Sequence, residues 1–134
     1  MVKKSPTIFR AIRKYILALQ ESGMHVQQVF LYGSHAKNQA HRDSDIDIIV
    51  VSENFQGKEL LERLHILGRA RRNVPEPVEA YGFTPEEIEN RERDLSAFWE
   101  EIIDTEAISI TDKVLAPQKK KRKTKRRKPA LLRQ

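Results

Sequence analysis

A chain of 134 residues has room for one domain and a tail, and 39% hydrophobic with 33% charged residues fits a globular protein with a well-solvated surface. There is no cysteine, which excludes disulfides and thiolate metal sites. The net charge of +6 averages two unlike parts: all 19 acids lie before Pro117 against 15 of the 25 Lys and Arg, so the body carries −4 and residues 117–134 carry +10.

The opening residues, Met1 to Pro6, lack the apolar stretch of a secretory signal, and no apolar run approaches the roughly 20 residues of a bilayer span. No membrane partner and a cytoplasmic location are therefore expected. Residues 5–22 predict an amphipathic helix, with Ile8, Ile12, Tyr15, Ile16 and Leu19 at helical spacing. Ser5 is placed to cap it, Pro6 suits its first turn, and Gly23 is placed to end it. Val26, Val29, Phe30 and Leu31 predict a strand at about 26–32. Gly33-Ser34 and a short polar stretch follow, read as a turn into a short helix. The run Ile46 to Val51 predicts a buried strand.

Helical periodicity returns over 58–72 through Leu60, Leu61, Leu64, Leu67 and Ala70, and a further strand is predicted at about 77–83. Thr84-Pro85-Glu86-Glu87 is a helix start in which Thr84 caps, Pro85 fills the first position and Glu87 reaches back. One or two helices are expected over 85–105, with Phe98, Trp99, Ile102 and Ile103 on the buried side. A last short strand is expected at Ala107 to Ile110. This order predicts an α/β (α+β) fold, a small mixed sheet with helices packed on it. The domain is expected over residues 1–112, followed by a basic low-complexity tail at 113–134 too polar to fold alone.

The chemistry concentrates in Leu31-Tyr32-Gly33-Ser34-His35-Ala36-Lys37 and Asp43-Ser44-Asp45-Ile46-Asp47. Asp45 and Asp47 stand two apart at the start of an apolar strand, so both project from one face. Two carboxylates that close raise one pKa unless a cation sits between them, and hard oxygen ligands suit Mg2+ or Mn2+. A lone pair of this kind is more often two solvent-facing acids, so its company matters. Gly33 lets the backbone approach a ligand closely, Ser34 offers a hydroxyl to a phosphate oxygen, and Lys37 adds positive charge one turn along. Glu79 lies in the next strand among residues otherwise buried, where an acid is costly unless it is paired, ligates a metal, or faces solvent at a strand edge.

Gly33-Ser34, ten intervening residues, then Asp45-x-Asp47 resembles the signature of the minimal nucleotidyltransferases of the DNA polymerase beta superfamily. Leu31-Tyr32 before the turn, Ser44 before the acids, the Thr84-Pro85-Glu86-Glu87 start and the late Phe98-Trp99-Glu100-Glu101-Ile102-Ile103 resemble that family too, over about residues 8–112. The resemblance implies a polymerase-beta-like fold and a nucleoside triphosphate, commonly ATP, bound at Gly33, Ser34, Lys37 and Ser44. It also implies Mg2+ or Mn2+ on the catalytic acids Asp45, Asp47 and Glu79. The implied reaction is transfer of a nucleoside monophosphate, commonly AMP, to a hydroxyl of a protein or nucleic acid. His35 stands where the family often has Arg, Asn38 where it often has Gly, and Glu79 replaces the commoner Asp.

Stand-alone members of this family are often paired with a helical HEPN-type toxin, to which they act as antitoxin. A separate partner carrying the acceptor is therefore expected. The alternative is a non-catalytic partner-binding module that keeps the fold and binds nucleotide. His25, His41 and His65 show no ligand spacing and read as surface or packing residues. The tail residues Lys119, Lys120, Lys121, Arg122, Lys123, Lys125, Arg126, Arg127 and Lys128 suit a nucleic acid or other polyanion, held without sequence choice through counterion release.

Overall fold

The structure, a computed structural model, describes residues 6–41 and 43–115. The chain opens with helix α1 (Pro6–Glu21), followed by strands β1 (Gln28–Tyr32) and β2 (Ile46–Val51) and a 3-10 turn, Glu53–Phe55. Helix α2 (Leu60–Ala70) runs through a second 3-10 turn, Arg71–Asn73, into strand β3 (Val78–Phe83). Three helices follow, α3 (Pro85–Glu89), α4 (Arg91–Asp94) and α5 (Ala97–Thr105). Strand β4 (Ile108–Ser109) and helix α6 (Thr111–Val114) close the described chain. Among the described residues no helix is long and apolar enough to cross a membrane.

The strands form one sheet in the order β3-β2-β1-β4. β2 pairs β1 antiparallel and β3 parallel, and β4 pairs β1 antiparallel. This is the mixed sheet with packed helices that the sequence predicts. β2 is an apolar run because both its faces are covered. Ile46, Ile48 and Val50 join Val29, Leu31, Val78 and Ala80 in the main core beneath α1, α2 and α6. The alternate residues Ile49 and Val51 join Tyr32 and Phe83 in a second core, against Tyr81, Trp99, Ile102 and Ile103.

On α1 the predicted stripe of Ile8, Ile12, Tyr15, Ile16 and Leu19 is buried throughout. The Tyr15 hydroxyl donates to the Leu67 carbonyl at 2.7 Å and so ties α1 to α2. Gly23 adopts φ 105 and lets the chain leave the helix, with the Met24 N–H donating to the Leu19 carbonyl at 3.1 Å. Thr84 forms the predicted capping box with Glu87.

Several local expectations are corrected. Residues 34–38 form successive turns, not a helix, because Asn38 takes a left-handed φ of 61 and stops the coil after one turn. The 85–105 stretch divides in three, since Ser96 adopts extended backbone and caps α5 by accepting from the Trp99 N–H at 3.4 Å. Phe98 is 62% exposed, one position off the inward stripe of Trp99, Ile102 and Ile103. Leu60 and Leu61 are exposed as well, and the inward face of α2 is Arg63, Leu67 and Ala70. The chain also stays in the fold beyond β4, with Val114 of α6 buried in the main core. Ser5 and the basic tail lie outside the described residues.

Arg63 takes an inward position because every part of its guanidinium is engaged. It forms a forked pair with Glu87 at 2.8 and 3.1 Å and donates to the Gly82 and Lys58 carbonyls at 3.0 and 2.9 Å. Its carbon sits 5.6 Å from the centroid of the Phe55 ring. Burial alone raises the Glu87 carboxyl, but hydrogen bonds from Arg63 and Thr84 hold it below the usual glutamate value. Arg63→Ala removes the guanidinium from Glu87 and from two carbonyls. It is expected to lower unfolding free energy by about 2–4 kcal/mol in urea titration, and a change within 0.5 kcal/mol, roughly the effect of an unimportant surface site, would contradict this account.

Candidate functional site

The turn after β1 is fixed by its first residue. Gly33 has φ 78, and a Cβ there would run into the Asp47 carboxylate, so both conformation and space demand glycine. The Ala36 and Lys37 N–H groups donate to the Gly33 carbonyl at 3.1 and 3.2 Å, and the Gln39 N–H donates to the Ser34 carbonyl at 2.9 Å. Buried Ala36 anchors the turn. The Ser34 hydroxyl, on a half-buried residue, has no hydrogen-bond partner among the described residues.

The acids meet the turn from the neighbouring strands. Asp47 stands opposite Tyr32 on one side and opposite Glu79 on the other, all three on the same face of the sheet. Asp45 is exposed just before β2. Ser44 steadies that approach, its hydroxyl oxygen accepting from the His41 N–H at 2.9 Å. Burial, then the charges of Asp45, Glu79 and Glu106, push the Asp47 carboxyl up to about 6. The Tyr32 hydroxyl is raised as well, by burial first and then by Asp47, Tyr81, Glu79 and Glu106. The predicted acids therefore share one electrostatic environment, at the edge of the second core.

They do not close on a single point. Among the described residues no three His, Cys, Asp or Glu side chains are grouped so as to hold a metal ion. Glu79 instead faces Arg71, with Nη1 3.4 Å from its carboxylate and both side chains 43% exposed. Arg71 is thus a stand-in cation beside the third acid, and Asp47 answers the same crowding by favouring its proton. A donor set of carboxylate oxygens with excess negative charge fits a hard divalent cation in chemistry.

Two residues here escaped the sequence reading. Glu106, at the end of α5, accepts from the Gly33 N–H at 2.8 Å and lies 3.6 Å from Lys37 Nζ. It is 73 residues from Gly33, so no local spacing could pair them. Arg71 reads from sequence as a cation at a helix end, which its local position is. The 3-10 turn that joins α2 to β3 brings it to Glu79. His25, His41 and His65 are exposed, as expected of surface residues. Trp99 packs against the rings of Tyr32, Tyr81, Phe83 and Phe98 with centroids 4.8–5.5 Å apart, as part of the second core.

Comparison with known proteins gives the family and the fold. A family model for the nucleotidyltransferase domain matches residues 10–131. A candidate nucleotidyltransferase from Sulfolobus solfataricus superposes with a TM-score of 0.55 at 16% identity, over 78% of this chain and 79% of that one. A crystal structure of a toxin–antitoxin with AMP-PNP superposes with a TM-score of 0.50 at 18% identity, over 73% of this chain and 71% of that one. At these identities the likeness is one of fold. No curated protein matches the chain by sequence.

The raised Asp47 pKa has a definite sign in stability. Its charged form is disfavoured in the folded protein, so the fold bears the penalty in full above pH 6 and sheds it as pH falls toward the ordinary value of 3.8. Discounted for partial exposure the penalty is roughly 1 kcal/mol. Asp47→Asn is therefore expected to raise the melting midpoint by about 4 °C at pH 8 in chelator, with the advantage gone near pH 4. A lower midpoint at pH 8 would refute the crowding.

Proposed function

The chain belongs to the nucleotidyltransferase domain family, and on that premise we propose that it transfers a nucleoside monophosphate, AMP from ATP, to a hydroxyl of a macromolecular acceptor. The observation that carries this reading is the meeting of Asp47 and Glu79 on paired strands, with Gly33 packed against the Asp47 carboxylate. The Gly33-Ser34 turn receives the triphosphate. Ser34 gives its hydroxyl to a phosphate oxygen, Lys37 adds charge, and Ser44 holds the loop that delivers Asp45.

Asp45, Asp47 and Glu79 would hold Mg2+ or Mn2+, which would supply charge to neutralise the triphosphate and lower the pKa of the attacking hydroxyl. Glu79 would turn from Arg71 toward such an ion, and Asp47 would face it as a carboxylate. The acceptor oxygen forms its bond to the α-phosphorus as the bond to the bridging oxygen breaks, and pyrophosphate leaves. The acceptor's proton passes to a carboxylate of the cluster.

The acceptor, on this reading, belongs to a separate protein, a helical toxin of the HEPN type. The toxin–antitoxin with AMP-PNP among the structural relatives supports that assignment as a parallel. A second reading, a binding module without turnover, draws on the Arg71–Glu79 pair, which keeps the third acid from its neighbours. With α-labelled ATP, Mg2+ and the partner, wild type is expected to transfer label and Asp47→Asn to lose roughly 100-fold or more. Intact partner binding with no label in wild type would favour the module.

The basic run at 117–134 is assigned to polyanion contact on its charge alone. Deleting residues 117–134 is expected to abolish the steep salt dependence of binding to a single-stranded RNA probe. An unchanged salt slope would remove the tail from that role.

A further inference from the structure

The backbone N–H of half-buried Gly33 finds its partner far along the chain. Glu106 accepts from it at 2.8 Å with one carboxylate oxygen, while the other lies 3.6 Å from Lys37 Nζ. A single side chain thus grips both ends of the turn. It is well placed to do so: Glu106 closes α5, its own N–H donates to the Ile102 carbonyl, and its side chain is only 18% exposed. A charged acceptor makes a stronger bond to an N–H than a neutral one.

The location argues against a mere cap. Glu106 is a fourth acid among Asp45, Asp47 and Glu79, and like charges there are costly. A neutral acceptor would satisfy the Gly33 N–H without that cost. What the carboxylate adds is the hold on Lys37, which is half exposed and otherwise free to swing away from the turn. The turn's own hydrogen bonds run among residues 33–39, and Glu106 is the side chain that ties its start to α5.

We propose that Glu106 is a positioning residue of the nucleotide site, setting the Gly33-Ser34 turn and Lys37 together so that the phosphate donors are arranged before the nucleotide arrives. This rests on the nucleotide-transfer reading above, whose own check is that the wild-type chain binds ATP with Mg2+. Pre-arrangement of this kind appears as affinity, since the ligand no longer has to order the loop.

The test uses the full chain, with calorimetric titration of Mg–ATP and the amide resonance of Gly33 in a 15N–1H spectrum. Glu106→Ala is expected to weaken ATP binding about 10-fold and to shift the Gly33 resonance. Glu106→Gln keeps an acceptor oxygen for Gly33 but loses the charge that holds Lys37, and is expected to restore the resonance and only part of the affinity. Should the alanine variant not fold, Glu106→Asp replaces it. It keeps the charge but withdraws the carboxylate from Gly33, and is expected to weaken binding likewise. Wild-type affinity in the alanine or aspartate variant overturns the proposal, as does a glutamine variant that restores the resonance yet binds as weakly as alanine. A wild type that binds no ATP would instead overturn the transfer reading on which the proposal stands.

Discussion

Repulsion among carboxylates gathered at one end of a small sheet shapes nearly everything around them. Asp47 and Glu79 are brought opposite by strand pairing, and Asp45 and Glu106 add their charge from the flanking loops. In a partly buried setting such crowding is relieved by a proton, a cationic side chain or a bound cation. The first two are present in the fold. Asp47 favours its proton, and Arg71 and Lys37 stand beside Glu79 and Glu106. That these protein cations stand on partly exposed side chains makes them displaceable, since exposed ion pairs contribute little.

The scaffold places this charge where it is tolerable. β2 is buried on both faces, yet Asp47 lies at its entry, next to the open turn and not in mid-strand. One residue on, Ile48 enters the main core, and Ile49 enters the second. The aromatic cluster around Trp99 then seals the face on which the acids stand. It lends the acids a lower dielectric on one side and leaves them open on the other. A buried wall with a polar mouth is what a site for a highly charged ligand requires.

Gly33 is where these demands meet. Its left-handed backbone turns the chain out of β1, and its missing side chain lets Asp47 pack against it. Its N–H draws in Glu106 from the far end of the domain. Any side chain there disturbs the strand exit and the carboxylate together. The comparisons speak to family and fold, and the roles of individual residues are our reading.

Much of this was legible before any coordinates. The apolar stripe of α1, the apolar run of β2 and the capping chemistry of Thr84 are local, and such local patterns declare themselves in sequence. So did Gly33, Ser34, Asp45 and Asp47, whose spacing is short enough to read directly. Phe98, Leu60 and Leu61 show where that reading failed: hydrophobicity told that these helices pack, but not which side chains the packing uses. Arg63 faces inward because Glu87 and two carbonyls receive it, which composition does not announce. Glu106 on Gly33 depends on helix placement that joins residues far apart in the chain, and Arg71 on Glu79 depends on how the short connection from α2 folds back along β3. The sequence by itself determined which acids and which turn lie close in the chain. Only the tertiary structure decided which cations and which fourth carboxylate attend them, because charge acts through space and chain spacing does not encode it.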